Sequence, residues 1–119
     1  MFKNNDYANA IDAYTSLLEL DPDNKEFNST IIANRALCHQ KLGKLTEALK
    51  DINQSIKLNE NYVKAYLRRG HIYKALGSFD EARYDYERVK TKEPHNTEVR
   101  KLIEEMKSEE KKAKKKDYY

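Results

Sequence analysis

Tryptophan is absent from this 119-residue chain, and glycine, proline and cysteine occur three, two and one times respectively. So few glycines and prolines leave little material for the tight turns of a sheet-rich fold. The lone Cys38 cannot close an internal disulfide, and no metal-ligand spacing surrounds it. It falls on an apolar helical face and reads as a small core residue. No apolar run approaches the roughly 18–20 residues of a membrane span. The opening Met1-Phe2-Lys3-Asn4-Asn5 lacks the apolar stretch of a signal peptide. The expected compartment is therefore reducing, the cytoplasm first and the nucleus second. A nucleophile–base pair, a phosphate-cradling glycine loop and a metal-ligand cluster are all missing, so no enzyme activity, cofactor or metal is expected.

Charge and helical periodicity dominate what is present. Charged residues make up 36% of the chain, yet the net charge is only +3. Lys111, Lys112, Lys114, Lys115 and Lys116 carry the basic excess. Glu104, Glu105, Glu109 and Glu110 precede them at helix-compatible spacing, the pattern of a solvated charged helix. A nucleic-acid patch is the lesser reading of that run, and nucleic acid is not an expected partner.

Apolar spacing predicts six helices. Tyr7, Ile11, Tyr14, Leu17 and Leu18 mark the first, from Asp6 to Leu20, which Pro22 stops. Further helices are expected over about Phe27 to Leu42, Leu45 to Leu58, Tyr62 to Leu76 and Asp80 to Thr91. Gly43 and Gly77 cap two of them. The last starts at Asn96 or Thr97 and carries Val99, Leu102, Ile103 and Met106 on one face. Beyond Met106 the stripe ends, and the helix is expected to project into solvent.

A pattern also repeats after 34 residues. Leu42-Gly43 returns as Leu76-Gly77, Glu47-Ala48 as Glu81-Ala82, Arg35 as Arg69 and Asp51 as Asp85. A period of 34 with small residues at fixed offsets predicts a solenoid of helical hairpins. The chain closely resembles the tetratricopeptide repeat (TPR) family. When Ala48 and Ala82 take position twenty of the family pattern, Ala36 and Gly70 fall at position eight. Tyr73, Phe79 and Pro94 then fall at positions eleven, seventeen and thirty-two. Ala10, Tyr14 and Pro22 fit an earlier unit displaced by four extra residues. The resemblance implies an all-α TPR solenoid of two full repeats, one half repeat and a C-terminal capping helix. The expected TPR domain covers 1–106. Within it, 6–22 holds the second helix of an incomplete repeat, 27–60 and 61–94 the full repeats, and 96–106 the cap. A charged helical extension, 107–119, would lead to a J-domain outside this chain.

In such hairpins the first helix lines a concave groove. The family register places Asn34, Lys64 and Arg68 there, with Lys64 one turn before Arg68. Arginine offers a planar fork to two oxygens, lysine a compact charge and asparagine a neutral donor, a set suited to a carboxylate. These three positions resemble part of the carboxylate clamp of co-chaperone TPR domains. The resemblance implies a co-chaperone module that binds the C-terminal Glu-Glu-Val-Asp (EEVD) tails of heat-shock chaperones of the seventy- and ninety-kilodalton classes. Two further clamp positions would precede Met1. Lys41 and His71 are secondary groove candidates. The plainer reading makes Lys64 and Arg68 ordinary solvated residues of a clamp-free assembly scaffold. In that case Ile11, Tyr14 and Leu18, expected to lack a first-helix partner, would favour self-association. The end Lys115-Lys116-Asp117-Tyr118-Tyr119 resembles the junction of DnaJ subfamily C co-chaperones, in which a repeat block precedes the J-domain. No His-Pro-Asp motif is present, so stimulation of a chaperone ATPase is not expected of this chain.

Overall fold

The computed structural model describes residues 6–116, and every regular element among them is an α-helix. In chain order these are α1 (Tyr7–Leu17), α2 (Lys25–Lys41), α3 (Leu45–Leu58), α4 (Val63–Ala75), α5 (Phe79–Lys92) and α6 (Thr97–Lys116). The Asp117-Tyr118-Tyr119 end lies outside the described residues. Helix α1 is shorter than its apolar stripe, because residues 18–20 form a turn ahead of Pro22. Helix α2 begins before Phe27, since the Asn24 side chain caps it by accepting from the Phe27 N–H at 3.1 Å.

The 34-residue echo is visible in the turns. Gly43 and Gly77 have φ of 76° and 81°, the left-handed geometry that glycine adopts without steric cost. After each, a backbone N–H reaches back to satisfy a helix-end carbonyl: Lys44 to His39 at 2.8 Å and Ser78 to Tyr73 at 2.9 Å. Each turn folds one helix back on the last, giving the pairs α2/α3 and α4/α5, with α1 packed on α2 and α6 on α5. The resulting stack measures 51 × 29 × 24 Å, elongated as a solenoid must be.

Small residues set the distance within each pair. Ala36, Ala48 and Ala82 are fully buried, and Ile52 packs with the first two. Buried Ser29 and Ser55 let α2 and α3 approach without orphaned hydroxyls. Ser29 Oγ donates to the Ser55 carbonyl at 2.8 Å, and Ser55 Oγ to the Ser29 carbonyl at 2.7 Å. The second core joins Tyr66 and Tyr86 to Val99, Ile103 and Met106 of α6.

One polar motif occurs twice. Arg35 donates two bonds to Asp51, at 2.8 and 2.9 Å, and Arg69 donates two to Asp85, at 2.9 and 2.8 Å. The third arm of each guanidinium spans to the preceding hairpin, Arg35 Nη1 to Thr15 Oγ1 at 3.1 Å and Arg69 Nη1 to Asn53 Oδ1 at 3.0 Å. These bidentate pairs tie each hairpin internally and to its neighbour.

Helix α6 departs from the expected solvated projection. It continues unbroken past Met106, with Glu109 and Glu110 half-buried. Arg83 Nε of α5 donates to Glu110 Oε1 at 2.7 Å. An ion pair therefore continues the α5–α6 contact where the apolar stripe ends.

Candidate functional site

Helices α2 and α4 lie side by side as the first members of successive pairs. Their 34-residue register brings Asn34 and Arg68 into direct contact, with Arg68 Nη1 donating to Asn34 Oδ1 at 3.0 Å. A guanidinium can only donate, so the amide oxygen must face it and Asn34 Nδ2 faces away as a free donor. Arg68 keeps its other N–H groups, since it has no carboxylate partner among the described residues. Lys64 is exposed and equally unpaired among them, one helical turn before Arg68 on the same face. The three together offer donors and two positive charges, with no carboxylate paired to them among the described residues.

The secondary candidates are not part of this trio. Lys41 is the last residue of α2, two turns from Asn34, and is exposed. His71 lies one turn beyond Arg68 and is partly withdrawn into the fold, its Nδ1 2.7 Å from the Tyr86 hydroxyl. Burial lowers the His71 pKa below 6.5 and Lys74 adds to this, while the Glu98 charge opposes it. The Tyr86 phenol is pushed up by its own burial and by nearby carboxylates, so it remains protonated. Cys38 is buried and its thiol is pushed up, with the Arg68 charge opposing, so it stays a core thiol.

Three residues outside the expected set, Glu98, Glu105 and Tyr86, bear on these positions. Glu98 and Glu105 of α6 stand 34 residues after Lys64 and His71, so the repeat register extends onto the cap. Lys74 Nζ lies 3.8 Å from Glu105 Oε2, and the Glu98 charge is felt at His71. Counting 34 onward would have found both. Tyr86 was also missed as the holder of His71, because it occupies an apolar core position. At these register positions α4 thus carries Lys64 and His71, and α6 carries Glu98 and Glu105 with Lys101 between them. Among the described residues no three His, Cys, Asp or Glu side chains could hold a metal ion, and no helix is long and apolar enough to cross a membrane.

Comparison with known proteins points the same way. A profile described as tetratricopeptide repeat matches residues 31–62, and a second of the same description matches residues 2–24 and 63–94. Human DnaJ homolog subfamily C member 7 is 39% identical over 118 residues, 99% of this chain. The chain spans only 24% of that protein's length. Among solved structures, the first TPR of Spaghetti (RPAP3) bound to the HSP90 peptide SRMEEVD is 38% identical, with a TM-score of 0.78. That match covers 86% of this chain and 78% of the other. The second TPR domain of human RPAP3, in complex with the HSP70 peptide SGPTIEEVD, is 37% identical with a TM-score of 0.74. It covers 85% of this chain and 81% of the other.

Proposed function

From the premise that this chain belongs to the tetratricopeptide repeat family, we propose that it is a co-chaperone interaction module for the EEVD-type C-terminal tails of heat-shock chaperones. The observation that carries this reading is the Arg68–Asn34 contact beside unpaired Lys64. A terminal carboxylate would accept from Asn34 Nδ2 and the open N–H groups of Arg68, with Lys64 neutralising the second anion of the C-terminal aspartate. Domains bound to SRMEEVD and SGPTIEEVD, alike in fold and more than a third identical in sequence, support this choice of ligand. Repeats 27–60 and 61–94 would carry the groove, with 96–106 as its cap. The module would act in the cytoplasm by binding and positioning, without catalysis.

Calorimetric titration with SRMEEVD as free acid and as C-terminal amide tests the reading. The free acid should bind and the amide should bind far more weakly. A charge-assisted contact contributes roughly 1.5–3 kcal/mol, so Lys64→Ala or Arg68→Ala should each weaken the free acid by about 10-fold or more. Equal binding of acid and amide would overturn the proposal.

A second reading rests on α1. Ala10 is its one buried residue, and Leu20, just beyond the helix, is 74% exposed. Ile11, Leu17 and Leu18 are only half-buried beside it, an apolar face that would favour self-association of a clamp-free scaffold. Light scattering that shows one monomeric mass over a wide concentration range would exclude it.

A further inference from the structure

We propose that His71 is a specificity-determining residue of the groove, held by the buried Tyr86 hydroxyl so that its Nε2–H donates to a backbone carbonyl of the bound peptide. The assignment deepens the peptide-binding reading and rests on it.

The hydrogen-bond requirements of Tyr86 fix the direction of that donor. Tyr86 is fully buried, and its hydroxyl oxygen lies 2.7 Å from His71 Nδ1, with no other partner among the described residues. A buried O–H needs an acceptor, and His71 Nδ1 is the one within reach. If Nδ1 carried the proton, two donors would face each other, or the phenol proton would be left without an acceptor among the described residues. The imidazole proton therefore sits on Nε2. The Tyr86 ring is itself seated by Gly70, where a Cβ would come within 2.5 Å of Tyr86 Cε1. Gly70, Tyr86 and His71 thus form one packed unit, with the imidazole tilted 60° to the phenol ring.

Nε2 has no partner among the described residues and is not buried, so it keeps access to solvent, and the repeat register puts His71 on the expected groove side of α4. It stands one turn beyond Arg68, a rise of roughly 4.5 Å, and an extended peptide covers this with one to two residues. The charges that act on His71 are Glu98 on α6 and Lys74 on its own helix, while Glu105 on α6 and Asp85 on α5 lie near Tyr86, which holds it. The nearby glutamates disfavour an anionic ligand atom there, and Lys74 is already drawn toward Glu105. A neutral acceptor remains, and an extended peptide presents one at each residue as a backbone carbonyl. Burial keeps the imidazole neutral at pH 7, which agrees with a directional donor in place of a charge.

Nitrogen-15 NMR of the histidine side chains in the whole chain, free and with saturating SRMEEVD, tests the assignment. The free protein should show the Nε2–H tautomer at His71. Peptide should shift that resonance and slow its exchange, and Tyr86→Phe should mix the tautomers. His71→Ala should weaken the free-acid peptide about 3- to 10-fold, the range of one neutral hydrogen bond. Discrimination between acid and amide should persist in that variant, and His71→Gln should recover part of the loss. If His71→Ala folds poorly because the phenol is orphaned, His71→Ala combined with Tyr86→Phe removes both partners and gives the same readout. An ester in place of the amide one or two residues before the C-terminus should weaken binding to the unsubstituted protein but not to His71→Ala. An Nδ1–H tautomer in the free protein would overturn the inference. So would an unmoved His71 resonance and unchanged affinity in His71→Ala while acid and amide are still distinguished. Equal binding of acid and amide would instead overturn the clamp, and this inference with it.

Discussion

At the scale of single residues, the two repeats solve one packing problem with different pairs. Ala36 packs with Ile52 in the first, whereas Gly70 faces the larger Tyr86 in the second. Gly70→Ala should therefore cost about 1–3 kcal/mol by overpacking. Combining it with Tyr86→Ile, which rebuilds the first repeat's pair, should cost less than the sum of the two single changes. Urea denaturation of the four proteins checks this, and strict additivity would mean that Gly70 and Tyr86 do not compete for space. His71 adds a pH dependence whose sign follows from burial. Its pKa is lowered in the folded state, so above 6.5 it is neutral in both states and contributes none. As pH falls below 6.5 the unfolded chain takes up the proton first, and stability drops until the folded pKa is passed. The melting temperature of the unsubstituted protein should fall through this window, and His71→Gln should lose that component.

At the scale of elements, α6 shows why part of the structure was hidden from the sequence. The stripe Val99, Leu102, Ile103, Met106 was legible because burial leaves a periodic trace, and all four residues are buried. The next contact, Arg83 with Glu110, joins two charged residues 27 positions apart in a highly charged chain and leaves no such trace. Arg35 and Asp51 were legible as an echo of Arg69 and Asp85, but their pairing across 16 residues needed the hairpin. The same holds at the groove. The Asn34–Arg68 contact follows from register alone, whereas the hold of Tyr86 on His71 needs the packing of α4 on α5. The Arg83–Glu110 pair is partly exposed, with side-chain exposures of 31% and 18%, so Glu110→Gln should cost only about 0.5–1 kcal/mol. Its effect should be local. Amide hydrogen exchange should accelerate over residues 107–116 and stay unchanged in α2 to α4, and no acceleration there would show that the apolar stripe alone anchors the helix.

At the scale of the whole molecule, stacking in a fixed 34-residue register gives the proposed groove two unlike walls, cationic α4 and acidic α6. Lys64 and Arg68 stand on α4, and Glu98 and Glu105 come next on α6. An EEVD tail is anionic near its C-terminus, which suits α4, and in the proposed complex its upstream residues would pass within the field of α6. The two peptides seen with related domains differ in this respect. SRMEEVD carries an arginine five residues before its final aspartate, and SGPTIEEVD carries no cationic side chain. The acidic wall should therefore favour SRMEEVD, because exposed charges within about 10 Å interact appreciably at 0.1 M salt. Glu98→Gln with Glu105→Gln should narrow the difference between the peptides by weakening SRMEEVD relative to SGPTIEEVD. High salt should narrow it in the unsubstituted protein and have little further effect on the difference in the double variant. Calorimetric titrations of both peptides at two salt concentrations separate the walls: loss of the clamp lowers both affinities together and keeps their ratio, and loss of the acidic wall changes the ratio. A ratio that survives both the double variant and high salt would place peptide selection in shape rather than in charge.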